Sequence, residues 1–383
     1  MHSNRQHGIL FLLPRLYPCA TGGIEIFHHY FVQAIGRFYN VYVCSLCDRV
    51  PGKYINLIHY QNSSVPRFST VLHWKTSIAT IHRLKESIDL IHLPYSSKQF
   101  VQEYYLPLIS RLYKIPYIIR IHGGGMHPSR PLALHQMLFD RATGIMAVSD
   151  PIRKEYEERH GKPIRHIPSM LPFLDSKTPV TELKVNYGLG TDDNIILFVG
   201  SIKKIKGLDI LLSAFHLLGK EYIKKQRLKL VCAGDGDMWE KVTKQVNELG
   251  IQDCVLMLGF IPHEKICELY NMADIFVIPS LMEARPLALS EALHNGVPSI
   301  ASRIPTLESI IDEEHNGLLF ETGNAEDLCK KIRLMIEDSE MRHQLGKTAR
   351  ERYRKEYQFD QMVQEYRDFY DEIIVNGEAL GKG

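Results

Sequence analysis

The chain has 383 residues, 45% of them hydrophobic and 23% charged. This average globular composition excludes disordered, collagen-like and disulfide-scaffold classes, and the length suits two domains. The net charge of +2 hides an asymmetry, because residues 1–172 hold 20 Lys+Arg against 10 Asp+Glu and the remainder holds 26 against 34. An N-terminal half carrying +10 suits an anionic partner: a membrane surface, a phosphorylated lipid or a nucleic acid. No apolar run approaches the ~18 residues that span a bilayer. The run Ile9 to Leu13 ends at Pro14 and is too short for a secretory signal. The expected location is cytoplasmic, or peripheral on the inner face of the cytoplasmic membrane. Seven scattered cysteines suit a reducing compartment, and the Cys44/Cys47 pair lacks a second pair at zinc spacing, so it reads as a strand end.

In chain order, GILFLLP, VYVCSL, YINLIHY, IDLIHLP, YIIRIH and GIMAVS predict strands, most of them apolar on both faces as in a parallel sheet covered by helices. Amphipathic stretches at 24–38, 70–86 and 98–113 lie between them. In the second half NIILFVG, LKLVCAG, CVLMLG, IFVIPS and VPSIAS predict strands, with helices at about 207–219, 237–248, 263–272 and 286–295. This alternation implies two doubly wound α/β domains. Prolines and a Gly-rich turn at 168–192 mark the boundary, giving 1–172 and 173–358 as domains. Residues 325–374 read as charged helices. The last places Phe359, Met362, Val363, Tyr366, Phe369, Tyr370 and Ile373 on one apolar face that should pack, and the terminal GEALGKG should fray.

Ligands of such domains bind at the carboxyl ends of the strands. A dinucleotide oxidoreductase is disfavoured, since the first strand leads into RLYPCATGG without G-x-G-x-x-G. Gly22 and Gly23 instead permit close backbone approach at a helix start, where N–H groups attract phosphate. In FVGSIKKIKGLDILLSAF, Lys203, Lys204 and Lys206 follow the strand end. In SLMEARPLALSEALHNGVPSIAS, Pro286 opens a helix whose Leu287 and Ala288 N–H groups face the strand ends, and Glu283 and Glu291 frame that helix start. A nucleoside diphosphate sugar fits: phosphates on the helix N-terminus and lysines, ribose and sugar hydroxyls on the two carboxylates. Asp235-Gly236-Asp237 has Asp-x-Asp spacing but sits in a glycine turn after a strand, so a turn or nucleotide contact is preferred to a metal. His28 and His29 read as packing or surface residues, and Arg120, though it leads directly into His122, is given no chemical role on one strand position.

The pieces TGGIE, RIHGGG, AVS, HIPSMLP, FVGSIKKIKGLDILLSAF, AGDGD, LGFIPHEKICELYNMADIFVIPS, EARPLALSEALHNGVPSIAS and NGLLF follow one another in order along nearly the whole chain. Together they resemble the retaining glycosyltransferases of the GT-B fold, family 4-type. The resemblance implies two Rossmann-like domains facing across a cleft, the first binding acceptor and the second the donor. It also implies a crossover helix in 359–383 returning to the first domain. By position it implies Gly22 and Gly23 near the donor diphosphate, His122 near the transferred sugar and Lys206 on the diphosphate. Glu283 would lie on the sugar hydroxyls, Glu291 on the ribose, and the Leu287 and Ala288 amides on the distal phosphate. Two departures stand out: Ser201 occupies a position where the family usually has Arg, and Ala284-Arg285-Pro286-Leu287 replaces a common G-F-G-L.

The implied reaction is metal-independent glycosyl transfer with retention, by front-face attack in which the departing phosphate takes the proton. The donor is a UDP-sugar first and GDP-mannose next. The acceptor is a hydroxyl of a glycan or polyprenyl-linked glycan in cell-surface polysaccharide biosynthesis, with the basic first domain resting on an anionic membrane. No cofactor or metal and no nucleic acid is expected. The alternatives are a nucleotide-sugar epimerase and a non-catalytic nucleotide-sugar-binding partner subunit, the latter prompted by Ser201.

Overall fold

The computed structural model describes residues 6–13, 16–18, 22–45, 55–59, 69–96, 104–123 and 132–381. The chain forms two units, one comprising residues up to Leu171 together with those from Phe359 onward, the other Pro172–Gln358. The first unit runs β1 (Gly8–Leu12), α1 (Gly23–Ile35), β2 (Asn40–Ser45), β3 (Ile55–His59), α2 (Ser69–Leu84), β4 (Leu90–Tyr95) and α3 (Leu106–Tyr113). It continues through β5 (Tyr117–Ile121), α4 (Leu132–Asp140), β6 (Gly144–Ala147), α5 (Asp150–His160) and β7 (Arg165–His166). The second unit holds α6 (Val180–Asn186), β8 (Asn194–Val199), a 3-10 turn at Lys204–Lys206, α7 (Leu208–Leu217), α8 (Lys220–Lys225), β9 (Leu228–Ala233) and α9 (Trp239–Glu248). There follow β10 (Val255–Gly259), α10 (His263–Met272), β11 (Ile275–Ile278), α11 (Leu287–Asn295), β12 (Ser299–Ser302), α12 (Pro305–Glu308), β13 (Leu318–Phe320), α13 (Ala325–Glu337) and α14 (Ser339–Glu356). The final helix, α15 (Phe359–Gly381), belongs to the first unit.

Both sheets are parallel and share one plan. The first is ordered β3-β2-β1-β4-β5-β6-β7 and the second β10-β9-β8-β11-β12-β13. Each is therefore doubly wound, with a reversal of strand order between β1 and β4, and between β8 and β11. The strands read as continuous apolar runs because both faces are covered: β1, β4 and β5 are buried at every position. The second unit's two core layers lie on opposite faces of its sheet, with Ile196 and Phe198 of β8 in one and Ile195 and Leu197 in the other.

Helix α15 is a structural part of the first unit. Tyr366 and Tyr370 are fully buried. The Tyr366 ring lies 4.4 Å from Phe31 of α1, the Tyr370 hydroxyl meets His92 Nδ1 at 2.6 Å, and Tyr39 donates to Asp371 Oδ1 at 2.6 Å. The helix continues to Gly381, so residues 377–381 are helical where fraying is expected. The two-residue β7 and three-residue β13 are too short to show a period in the sequence. Of the helix expected over 98–113, residues 98–103 lie outside the described residues and the described helix is α3. Among the described residues no helix is long and apolar enough to cross a membrane.

Truncating a fully buried aromatic removes its transfer free energy and leaves a cavity. Tyr366→Ala is accordingly expected to destabilise the first unit by about 3–5 kcal/mol, read as a lower denaturant midpoint of that unit with the second unit's transition unchanged.

Candidate active site

In the second unit the reversal of strand order between β8 and β11 leaves two loops side by side at the strands' carboxyl ends. The β8 loop carries Ser201 and Lys206, and the β11 loop carries Glu283. Backbone packing sets their register. Leu281 N–H donates to the Ile205 carbonyl at 2.8 Å. Gly207 adopts φ +67°, and a Cβ there would lie 2.0 Å from the Pro279 carbonyl oxygen, so only glycine lets the loops approach this closely. Thr306 Oγ1 donates to the Glu283 carbonyl at 2.9 Å, fixing the second loop from below.

This scaffold brings Lys206 Nζ to 2.6 Å from Glu283 Oε1, and Ser280 Oγ donates to the same oxygen at 2.8 Å. The Glu283 side chain is 6% exposed and that of Lys206 24%. A carboxylate so withdrawn from water needs its cation and its hydroxyl donor. Lys204 is engaged by Asp209. Lys203 is exposed and makes no ion pair among the described residues, leaving it as a cation near the Ser201 position. Arg285, in the β11 loop, stacks its guanidinium 5.5 Å from the Tyr357 ring centroid. Asp235 accepts from Gly236 N–H at 2.7 Å and its carbonyl receives the Ile202 N–H at 2.9 Å, so the Asp-Gly-Asp turn braces the β8 loop.

Pro286 is the N-cap of α11, one position before the helix rather than in its first turn. The Leu287 N–H, expected to face a phosphate, donates to the Arg285 carbonyl at 3.1 Å; the Ala288 N–H lacks an acceptor within the helix by position. Glu291 is held from α10: His263 Nε2 lies 2.7 Å from its Oε1, and Tyr270 donates to its Oε2 at 3.1 Å. Tyr270 is also 3.0 Å from the Ala288 carbonyl. Burial, with the nearby Glu291 carboxylate adding to it, pushes the Tyr270 phenol well above its ordinary pKa, so it stays a donor. His263 and Tyr270 were not singled out from sequence. Both lie in PHEKICELY, i and i+7 on a helix, a spacing that places them on one face.

In the first unit the β1 loop ends at Gly22, the N-cap of α1, and Gly23 starts the helix. A Cβ on Gly22 would lie 2.3 Å from Glu25 Oε2. The Glu25 carboxylate thus occupies the positive end of α1, the place where a phosphate is expected. Residues 19–21 of the glycine segment lie outside the described residues, as do 124 and 125 of RIHGGG. His122 extends β5, its N–H donating to the Tyr95 carbonyl at 2.8 Å. Its ring is 5.1 Å from that of His28, and its Nε2 has no hydrogen-bond partner among the described residues.

Beneath it, two residues back on the same strand face, Arg120 is fully buried. Its guanidinium lies 3.9 Å from the Phe27 ring centroid and 5.1 Å from that of Tyr366, and donates to Ser169 Oγ at 2.8 Å. Burial first, and then this fixed cation, hold the His122 imidazole well below its ordinary pKa; the same two causes bring His28 down to about 3. His92 is lowered by burial, then by His28 and Arg120. His28, expected as packing or surface, and Arg120, given no chemical role from sequence, are therefore the electrostatic surroundings of His122. Their signal lies in the period of two along β5 and in the length of α1, but neither identifies which faces meet.

The fold and the site define a class. Over 95% of the chain, and the whole of the other, the structure matches HepE of Anabaena solved in complex with UDP, at TM-score 0.76 and 17% identity. It matches sucrose-phosphate synthase of Thermosynechococcus elongatus at TM-score 0.80 and 19% identity, over 97% of this chain and the whole of that one. Its two Rossmann-like units are those of the GT-B fold. Within the second unit, residues 180–352 match the family described as glycosyl transferases group 1. Among curated relatives it is 24% identical over 335 residues to N-acetyl-alpha-D-glucosaminyl L-malate synthase of Bacillus anthracis, covering 83% of this chain and 84% of that one. It is 23% identical to alpha-D-kanosaminyltransferase of Streptomyces kanamyceticus, over 64% of this chain and 68% of the relative.

A histidine whose folded pKa is depressed binds its proton in the unfolded state first. Its stabilisation is present above about pH 6.5 and is lost as pH falls toward the folded value. The first unit should therefore lose stability on acidification below about pH 6.5, with the His28 contribution falling away toward pH 3. Denaturant melts across this range should show that decline, and His28→Asn should flatten it.

Proposed function

We propose that this chain is a metal-independent retaining glycosyltransferase that moves a sugar from a nucleoside diphosphate sugar to a hydroxyl of a glycan or polyprenyl-linked glycan. The observation that carries the reading is the Lys206–Glu283 pair at the strand-order reversal of the second unit, beside the start of α11. Loss of a diphosphate develops negative charge. An ammonium already oriented by a buried carboxylate, and the amides of a helix start, stabilise that charge without a metal and without reorganising.

In this reading Glu283 both holds Lys206 and accepts from sugar hydroxyls. Glu291, oriented by His263 and Tyr270, accepts from the ribose. The Leu287 N–H exchanges its bond to Arg285 for a phosphate oxygen, with Ala288 beside it. Gly22 and Gly23 serve close backbone approach to the donor. His122, held neutral, is a hydrogen-bond partner to the transferred sugar and adds no charge of its own. The acceptor hydroxyl attacks from the leaving group's side, and the departing phosphate oxygen takes its proton. A UDP-sugar is the preferred donor, as supported by the UDP and UDP-glucose bound in HepE, with GDP-mannose as the rival. With Ser201 in place of an arginine, Lys206 and Lys203 supply the positive charge at the leaving group. Cell-surface polysaccharide synthesis is the setting proposed.

Nucleotide release from UDP-glucose, UDP-N-acetylglucosamine and GDP-mannose, followed without metal and with a chelator, tests the reading. One donor should turn over with the chelator present, and the sugar released should keep its anomeric configuration. Lys206→Ala should lower kcat/KM about 10²–10³-fold, with Lys206→Arg recovering part. Loss of turnover to the chelator, inversion, or an unimpaired Lys206→Ala protein would overturn it.

A further inference from the structure

The first unit presents an apolar surface ringed by cations on the face away from α1 and α15. The crossovers β3 to β4, β4 to β5 and β5 to β6 all run the same way across the sheet, so right-handedness places α2, α3 and α4 together on one face. Their contacts agree. Trp74 of α2 lies 5.9 Å from Tyr105 at the start of α3 and His82 5.8 Å from Tyr113, while the Tyr95 hydroxyl at the end of β4 meets His135 of α4 at 2.7 Å.

Helix α3 buries Leu106 and Ile109 and turns Leu108 and Leu112 outward, 69% and 64% exposed. These two are i, i+4 on one stripe, with Arg111 between them. Neighbouring α4 exposes Leu134 and Met137, i and i+3. Four large apolar side chains on adjoining helices form a patch rather than scattered surface residues.

Charge selects the occupant. Arg111 and Lys114 are exposed on and just after α3, and Arg83 and Lys85 at the end of α2, where Lys85 Nζ stands 5.8 Å from the Tyr113 ring centroid. The exposed acids on these helices and their ends are Glu86 and Asp140, the latter beside exposed Arg141; α5, which packs beside α4 on the same face, adds exposed Glu158 with exposed Lys154 and Arg159. The unit's acidic surplus lies elsewhere: residues 359–383 hold six Asp+Glu against two Lys+Arg, and α15 packs on α1, on the other face. Leucines flanked by arginine and lysine match a bilayer, where apolar side chains enter the acyl boundary and cations meet phosphate headgroups.

We infer that the α2–α3–α4 face docks on an anionic membrane, with Leu108 and Leu112 inserted and Arg83, Lys85, Arg111 and Lys114 at headgroup level. The surface stands whether or not the donor site turns over.

Co-sedimentation of the full chain with phosphatidylcholine vesicles, with and without about 30% phosphatidylglycerol, tests this. Binding should require the anionic lipid and fall at about 0.5 M salt. Leu108→Ser/Leu112→Ser should weaken it at least ten-fold, and Arg111→Glu/Lys114→Glu by about five-fold per cation or more. The melting temperature should not change, because these side chains are exposed. Leu217→Ser, at an exposed leucine of the second unit, should bind as the wild type does. Equal binding to neutral vesicles, or wild-type binding by the leucine variant, would overturn the inference. So would a leucine variant that converts an oligomer to a monomer on gel filtration, since the face would then be a contact between copies of the chain.

Discussion

A lysine and a glutamate 2.6 Å apart, both largely withdrawn from water, govern what the second unit presents at the ends of its strands. Neither can sit there alone. Glu283 without Lys206 is a buried charge with one hydroxyl donor, and Lys206 without Glu283 has no reason to turn back from solvent. The pair forms because two loops touch, and they touch because Gly207 has no side chain to keep Pro279 away. The doubly wound order β10-β9-β8-β11-β12-β13 puts those loops next to each other in the first place. Fold, backbone conformation and ion pair are links of one chain of causes, and the candidate donor chemistry hangs on the last.

The first unit solves a different electrostatic problem. Arg120 lies between Phe27 and Tyr366 and donates to Ser169. Aromatic faces and a hydroxyl satisfy a planar, weakly hydrated guanidinium better than they would an ammonium. The consequence is local: three imidazoles near this cation are kept neutral. Because Tyr366 comes from α15, the last helix in the chain helps set the protonation state of a residue at the end of β5.

Much of this was legible in the sequence, for reasons that differ by feature. Eleven strands announce themselves as apolar runs because a parallel sheet covered on both sides demands them. β7 and β13 do not, since two or three residues carry no period. The Glu283/Glu291 spacing and the lysine loop were each readable because each is confined to one short stretch of sequence, but the pairing of Lys206 with Glu283, 77 residues apart, was not. The hydrogen bonds that orient Glu291 were not, since His263 and Tyr270 reach it from another helix, 28 and 21 residues back along the chain. The environment of His122 was hidden further, built from α1, β4, β5 and α15. The N-terminal charge excess was visible, but the gathering of Arg83, Lys85, Arg111 and Lys114 beside exposed leucines was not, because these residues come from two separate helices and their ends.

The most direct test of the donor-site account is the thermal shift produced by UDP, GDP and ADP, without metal, on the wild-type chain and on Glu291→Ala. A ligand that binds only the folded state stabilises it by about 2.7 kcal/mol at 100 times its Kd. One nucleotide is expected to raise the wild-type melting temperature by several degrees and that of Glu291→Ala far less. No shift with any of the three, in protein that melts cooperatively, would contradict the account.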